Sequence, residues 1–305
     1  VSEVVREFVR PRSVGEAGQL ADSGEAVAML GVPEEWYHGR PEVSSSRLKV
    51  MLRSPKAFRA ALAAPRVEKA EFDVGHAVHA RVLGVGAPVA LIPEEVLASN
   101  GALSTKAAKE WVEAARAEGK VPLKQREYDL VVRGSDAVLM HPKARQILEP
   151  EGFSEVSLFG ADPEFGVSLR GRVDRLSGLQ LADVKTTPSL AVQKLRSVVD
   201  DYGYDLQSEM YRFLFELVFG EVPEPTVLIF MEKEAPYDVR VVRLGEDWIE
   251  GGWHKFREAL RRFAECSASG VWPGVDEVGE IEELVPAPWY SARVAARAES
   301  LEGSL

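Results

Sequence analysis

The sequence predicts a mixed α/β fold: a central sheet flanked by helices, preceded by an α-rich N-terminal half. Three observations carry this. Helical patterning dominates residues 44–149. Strand-like alternation begins abruptly at Phe153. From there the order reads strand, strand, strand, helix, helix, strand, strand, helix, which a layered α/β domain produces.

The elements follow in chain order. Residues 1–33 mix small, acidic and Gly residues with weak periodicity and read as an arm or short helix. In residues 44–63, Ser44–Ser46 supplies N-cap candidates, and Leu48, Met51, Leu52, Phe58 and Leu62 form an apolar stripe. Pro55 should break or restart that helix. Further helices are expected over 71–84, 104–119 and 125–149, the last interrupted at His141-Pro142. Strands are expected at 153–159, 166–176 and 179–186, with Ser177-Gly178 as a hairpin turn between the second and third. A helix opened by Pro188 and a long amphipathic helix at 204–219 come next, the latter with Leu206, Met210, Phe213, Leu214 and Leu217 on its core face. Strands at 226–232 and 238–244 and a helix at 248–269 complete the core. Beyond Gly270 the chain is Pro- and acid-rich and reads as irregular, apart from a short helix near 290–300.

The chain has 305 residues, 46% of them apolar and 28% charged, which is ordinary for a globular protein and excludes collagen-like and low-complexity classes. A single cysteine, Cys266, excludes a disulfide framework and any four-cysteine zinc or iron–sulfur site. No apolar run approaches the roughly 20 residues of a membrane helix, and no apolar block follows Arg6, Arg10 and Arg12, so a cytoplasmic protein without a membrane partner is expected. The formal charge of −11 argues against a nucleic-acid partner when taken for the whole molecule. Its distribution removes that objection. Residues 200–305 hold 22 acidic and 10 basic residues, whereas residues 1–199 hold 27 basic and 26 acidic ones. Within the near-neutral part, Ser44–Arg66 contains Arg47, Lys49, Arg53, Lys56, Arg59 and Arg66 and no acid. That segment suits phosphate contacts and suits a solvated helix face equally well. Trp36 and Tyr37 could stack on a base, though packing under the arm is the simpler expectation.

The residues best suited to chemistry lie on the hairpin. Strand alternation puts Asp183 and Lys185 on one face, and the turn brings Asp174 alongside. Two carboxylates beside a lysine suit metal-assisted phosphodiester cleavage. Mg²⁺ prefers oxygen ligands, polarises the phosphate and activates water, and a lysine can orient that water or oppose developing charge. An isolated Asp-x-Lys is also an ordinary strand ion pair. His79, in the expected helix at 71–84, could be a ligand or a satisfied core residue. Gln207 and Tyr211, four apart, share a helix face. His76 and His79 lack the spacing of a zinc hydrolase.

The ordered set of segments resembles a known family. The matching pieces are Tyr37-His38, Val43–Leu48 and Leu52–Phe58, then Phe72–Ala80, Gly171–Asp174 and Asp183–Thr187. Tyr202–Gln207 with Tyr211 and Trp272–Gly274 complete the set. Over residues 36–275 the chain resembles the RecB-type branch of the PD-(D/E)XK nuclease superfamily and, within it, RecE-like exodeoxyribonuclease VIII domains of phages and prophages. The resemblance implies a PD-(D/E)XK restriction-endonuclease-like core and a Mg²⁺-dependent exonuclease, Mn²⁺ being an alternative ion. It implies that Asp174, Asp183, His79 and the Val184 carbonyl hold the metal and that Lys185 acts on the attacking water. Gln207 and Tyr211 match the family's Q-x-x-x-Y motif beside the active site and the DNA backbone. Glu155 stands where relatives often carry an acid, as a site residue or a strand-edge ion pair. Arg47, Lys49, Arg53, Lys56 and Arg59 are the DNA-contact candidates.

The implied partners are double-stranded DNA ends, a single-strand annealing recombinase, and further copies of the chain in a ring around DNA. This sequence lacks the iron–sulfur staple of some relatives and any G-x-x-x-x-G-K-[S/T] nucleotide loop, so neither cofactor is expected. An endonuclease or single-strand nuclease on the same core is the alternative activity, and a catalytically silent DNA-binding recombination scaffold the alternative class. The expected organisation is an accessory arm at 1–35, the nuclease domain at 36–275 and an acidic tail at 276–305.

Overall fold

Ser54 and Pro55 divide the basic helical stretch in two. Helix α3 (Ser45–Arg53) ends at Ser54, whose Oγ then accepts the Ala57 N–H at 3.2 Å and caps α4 (Pro55–Ala63), with Pro55 in the first turn. The same logic acts at His141, where Nδ1 accepts the Ala144 N–H at 3.3 Å, so that α7 (Gln125–Met140) stops and α8 (Pro142–Leu148) begins. The protein is described by a computed structural model covering residues 9–11, 14–64, 70–277, 281 and 283–302. Arg66, Arg6 and Arg12 lie outside these residues.

The central sheet has seven strands, ordered β1-β2-β5-β6-β7-β8-β9. These are β1 (Arg10–Pro11), β2 (Val27–Leu30), β5 (Phe153–Ala161), β6 (Ser168–Ser177), β7 (Gln180–Thr187), β8 (Val227–Glu232) and β9 (Val239–Arg243). β2, β5, β6 and β7 run antiparallel in succession; β7 and β8 are parallel, and β9 is antiparallel to β8. A parallel pair needs a crossover, which α9 (Val192–Asp201) and α10 (Tyr204–Phe219) provide. β3 (Val89–Leu91) and β4 (Val121–Leu123) form a separate parallel pair, with α6 (Lys106–Ala117) between them. Residues 27–30, expected in an accessory arm, are a strand of the main sheet. Helices α1 (Val14–Asp22) and α2 (Glu34–Gly39) flank β2 in the chain.

Both sheet faces are covered, which makes this the mixed α/β core that the sequence predicts. One face packs against α3, α4, α10 and α11 (Glu246–Ser269) through Leu48, Met51, Phe58, Leu169, Met210, Phe215 and Phe256. The other packs against α5 (Ala70–Leu83) and α7 through Ala77, Val78, Val131, Val138, Val184 and Ile229. On α10 the inward residues are Leu206, Met210, Leu214 and Phe215, with Phe213 and Leu217 only partly covered. Fully burying such a side chain contributes roughly 1.5–3 kcal/mol, so this helix is anchored by packing.

The C-terminal segment behaves differently. Ile281, Leu284 and Trp289 are exposed, as are the described side chains of α12 (Pro288–Glu302). Among the described residues no helix is long and apolar enough to cross a membrane.

Candidate metal centre and nuclease site

The site lies where the sheet forks. β6 and β7 are in register from Ser177↔Gln180 to Arg175↔Ala182, and there the ladder stops. The next residue on β6 is Asp174, and its carboxylate replaces the missing partner: Oδ2 accepts the Val184 N–H at 2.8 Å. β7 meanwhile stays paired with β8 from Ala182 to Thr187, so the splayed backbone is held from its other edge.

The neighbouring strand distorts at the same level. Glu155 lies between the registered pairs Ser154↔Arg175 and Val156↔Val173 and has φ 54. A left-handed conformation at a non-glycine residue costs on the order of 1–3 kcal/mol. Glu155 Oε2 is 3.7 Å from an Arg172 guanidinium nitrogen, so an ion pair, one of the two alternatives for this residue, is present, on an interior strand of the sheet. The same carboxylate also joins His79 and Asp174 in a group whose ligand atoms lie within 4.8 Å of one another.

His79 reaches the fork from α5. Its Nε2 is 2.5 Å from the Val184 carbonyl oxygen, and its Nδ1 is 3.4 Å from Asp174 Oδ2. Two carboxylates, an imidazole and a backbone carbonyl converge in a largely buried place. That donor set fits an oxygen-preferring divalent cation. It does not fit a structural zinc site, which would be built from thiolates and imidazoles.

Asp183 and Lys185 share a face of β7, as alternation requires, and form an ion pair. The other Asp183 oxygen, Oδ1, accepts from Gln207 Nε2 at 3.2 Å, and the same amide nitrogen lies 3.3 Å from the Tyr211 hydroxyl. Gly171 explains part of this packing. A Cβ there would lie 2.8 Å from the Tyr211 ring, so the ring can rest on β6 only over a glycine.

Burial and mutual charge set the protonation behaviour. Desolvation, reinforced by the Asp183 charge, pushes the Asp174 carboxyl up to about 7. Burial also raises Glu155, against the pull of Arg172. At Lys185 burial favours the neutral amine, but Asp183 and Asp174 together outweigh it and hold the ammonium well above its usual range. Lys185 is therefore a donor and a charge, not a base. Burial raises the Tyr211 and Tyr204 hydroxyls as well.

The five basic residues separate. Lys49 turns inward: its Nζ donates to Gln207 Oε1 at 3.4 Å and lies 5.5 Å from the Tyr204 ring centre. Arg47 is half-buried, with Nη1 3.4 Å from the Pro41 carbonyl. Arg53, Lys56 and Arg59 are exposed. Lys56 pairs with Glu277, the second residue of the acidic segment. Arg59 lies over Trp272 at 5.9 Å. Trp36 packs edge-on to Phe159, and Tyr37 is buried beneath Arg172, so both serve packing as expected.

Sequence reading assigned no site role to Tyr204, Arg172 or Gly203. Tyr204 carried a signal, since it lies one turn before Gln207 on the same helix. Gly203, the N-cap of α10 in the left-handed region with φ 59, carried none beyond its place in the Tyr-Gly-Tyr segment.

A mixed sheet with helices on both faces, and an Asp from one strand meeting Asp-x-Lys on the next, define the PD-(D/E)XK class of fold. Within it, the chain belongs to the family described as "PDDEXK-like domain of unknown function (DUF3799)", whose model matches residues 44–284. Among solved structures, the chain is similar to a protein from Eubacterium rectale that carries a provisional exonuclease name. The two share 11% identity with a TM-score of 0.58, over 84% of this chain and 97% of that one. A phage-related exonuclease from Haemophilus somnus 129PT overlaps at 11% identity over 75% of this chain and 96% of that one, with a TM-score of 0.29, too low to bear on the fold. No curated protein matches the chain.

Proposed function

We propose that this chain is a metal-dependent exonuclease that hydrolyses phosphodiester bonds at linear double-stranded DNA ends, with Mg²⁺, or Mn²⁺, as its ion. The observation that carries this reading is the fork between β6 and β7. There Asp174 meets His79 and the Val184 carbonyl, and the Asp183–Lys185 pair on the facing strand is near enough for both charges to act on Asp174. In this reading Asp174, Asp183, His79 and the Val184 carbonyl hold the cation; the grouping of Glu155 with His79 and Asp174 supports it as a further donor, while Asp183, outside that group, would have to turn from Lys185 to join. A bound divalent cation supplies polarisation of a phosphoryl oxygen and a lowered pKa for the attacking water.

The protein's own groups do the rest. Lys185, held as an ammonium, donates to the attacking water and opposes negative charge developing on the phosphorus oxygens. Gln207 holds the Asp183 carboxylate in one orientation, and Tyr211 holds Gln207. Arg53, Lys56 and Arg59 lie on the outer face of the basic helices, where a DNA backbone can be met. Supply of single strands to an annealing recombinase, assembly of several copies around DNA, and a cytoplasmic setting extend the proposal through the resemblance alone.

The test is digestion of linear and of covalently closed duplex DNA in Mg²⁺, with Asp183→Ala alongside. Degradation of the linear form only, lost in the variant, is the expected result. Equal attack on closed circles makes the protein an endonuclease. No hydrolysis of either form, together with no divalent-ion binding by calorimetry, favours a silent DNA-binding scaffold.

A further inference from the structure

Lys49 belongs, by sequence, to an acid-free helix that would track a DNA backbone from outside. Its surroundings are different. The stem runs over the start of α10, and its Cγ, Cδ and Cε each lie 3.2 Å from where a Cβ on residue 203 would be. A side chain there would press on all three methylenes, and the stem would have to give by a few tenths of an ångström. The ammonium then stands 5.5 Å from the Tyr204 ring centre, while Lys185 lies 4.7 Å from the same ring. Two cations thus share one aromatic mount.

Gln207 links the two sides. Its Oε1 accepts from Lys49 while its Nε2 donates to Asp183. An amide carries both an acceptor for the cation and a donor for the carboxylate, and with Oε1 toward Lys49 its NH2 faces Asp183. Among the described residues no carboxylate pairs with Lys49, whereas Lys185 has Asp183 and Arg172 has Glu155. Burial and the Lys185 charge hold the Lys49 ammonium down to about 7, against the weaker, more distant pull of Asp183 and Asp205. A mostly buried ammonium in that position favours an incoming anion.

We propose that Lys49 is a catalytic residue of this site, its ammonium taking a non-bridging oxygen of the phosphodiester under attack. The proposal rests on the reading of the site as a phosphodiester hydrolase. It separates Lys49 from Arg53, Lys56 and Arg59, whose contacts would add affinity without regard to the reacting phosphate. The contact strengthens as negative charge builds on the phosphoryl oxygens, so its loss appears in kcat.

The experiment compares the full chain with Lys49→Met, which keeps most of the packing of the stem, Lys49→Gln in case the first does not fold, and Lys49→Arg. Thermal unfolding and Mg²⁺ calorimetry are run on each. On linear duplex DNA the neutral variants should lose on the order of 10²-fold in kcat, with Mg²⁺ affinity and KM little changed, and Lys49→Arg should recover part of the loss. A kcat within about threefold of wild type, or a loss confined to KM, overturns the proposal and leaves the proposed function standing. If wild type hydrolyses no DNA, that function fails by itself. Lys49 is then judged by thymidine 5′-monophosphate titrated in Ca²⁺. Binding weakened about tenfold or more in the neutral variants, roughly 1.4 kcal/mol, supports the anion site, and equal binding overturns it.

Discussion

The Asp174 carboxylate stands in for a strand: its Oδ2 accepts the Val184 N–H at 2.8 Å where the β6–β7 ladder has stopped. One side chain thereby satisfies a buried backbone donor and opens the fork in which the cluster sits. Its charge and its hydrogen bond can be separated by mutation.

Asp174→Asn keeps an acceptor for the Val184 N–H and removes the charge. It should fold with near-native stability and lose most divalent-ion affinity. Asp174→Ala also orphans the buried N–H and should destabilise the chain by roughly 1–3 kcal/mol. Denaturant midpoints together with Mg²⁺ calorimetry check both; tight Mg²⁺ binding by the Asn variant would remove Asp174 from the ligand set.

The raised Asp174 pKa has a signed consequence. The native carboxyl titrates near 7 and the unfolded one near its usual 3.8. Between these values the native state holds a proton that the unfolded chain has released. The stabilisation is full below about pH 4 and is lost as pH rises through about 7. The metal-free protein should therefore lose stability across that window, and saturating Mg²⁺ should offset the loss while releasing a proton. Urea midpoints at pH 5 and pH 7.5, with and without ion, provide the measurement. A midpoint with no pH dependence in wild type, or the same dependence in Asp174→Asn, would reject this origin.

Lys185 competes with a cation for Asp183. Lys185→Met should reduce hydrolysis by on the order of 10²–10³-fold while leaving Mg²⁺ affinity unchanged or higher. Calorimetry beside turnover decides it, because a parallel loss of ion binding would make Lys185 a structural support for the ligands.

Gly203→Ala places a Cβ against three Lys49 methylenes at φ 59. The left-handed conformation alone costs about 1–2 kcal/mol. A lower denaturant midpoint is expected, with a fall in turnover beyond what unfolding explains, because Lys49 is displaced from its mount. Full activity in the folded fraction would argue that the passage of the stem is incidental.

Glu277 neutralises Lys56 on the exposed face of α4. Glu277→Ala should leave the unfolding midpoint unchanged, since exposed pairs contribute little. It should tighten duplex binding at low salt and steepen the salt dependence by about one counterion. Anisotropy titrations over a salt series provide the check, and an unchanged slope would keep Lys56 out of the DNA contact.

Much of the fold was legible in the sequence because its signals are local. The break at Ser54-Pro55 is visible as a cap residue followed by a proline, and both features act within one turn of helix. α10 was bounded correctly at Tyr204–Phe219 because its apolar stripe repeats at helical spacing. β2 was missed because Val27–Leu30 is a short apolar run whose only distinguishing feature is its partner β5, more than a hundred residues later. Two-residue alternation placed Asp183 and Lys185 together, and four-residue spacing placed Gln207 with Tyr211. Neither pattern reaches across the chain to Lys49, 158 residues from Gln207, or to the left-handed backbone of Glu155 with φ 54.

By itself, then, the sequence determined the element order, the Asp-x-Lys strand, the His-bearing helix and the acid-free basic segment, since periodicity and residue type carry these over a few residues. Only the tertiary structure decided that the β6–β7 ladder opens at Asp174, that Glu155 turns toward His79, and that one lysine of the basic segment leaves its exposed side to stand over Tyr204. Each of these depends on packing between elements distant in the chain, where the available space and the missing hydrogen-bond partner determine the direction a side chain takes.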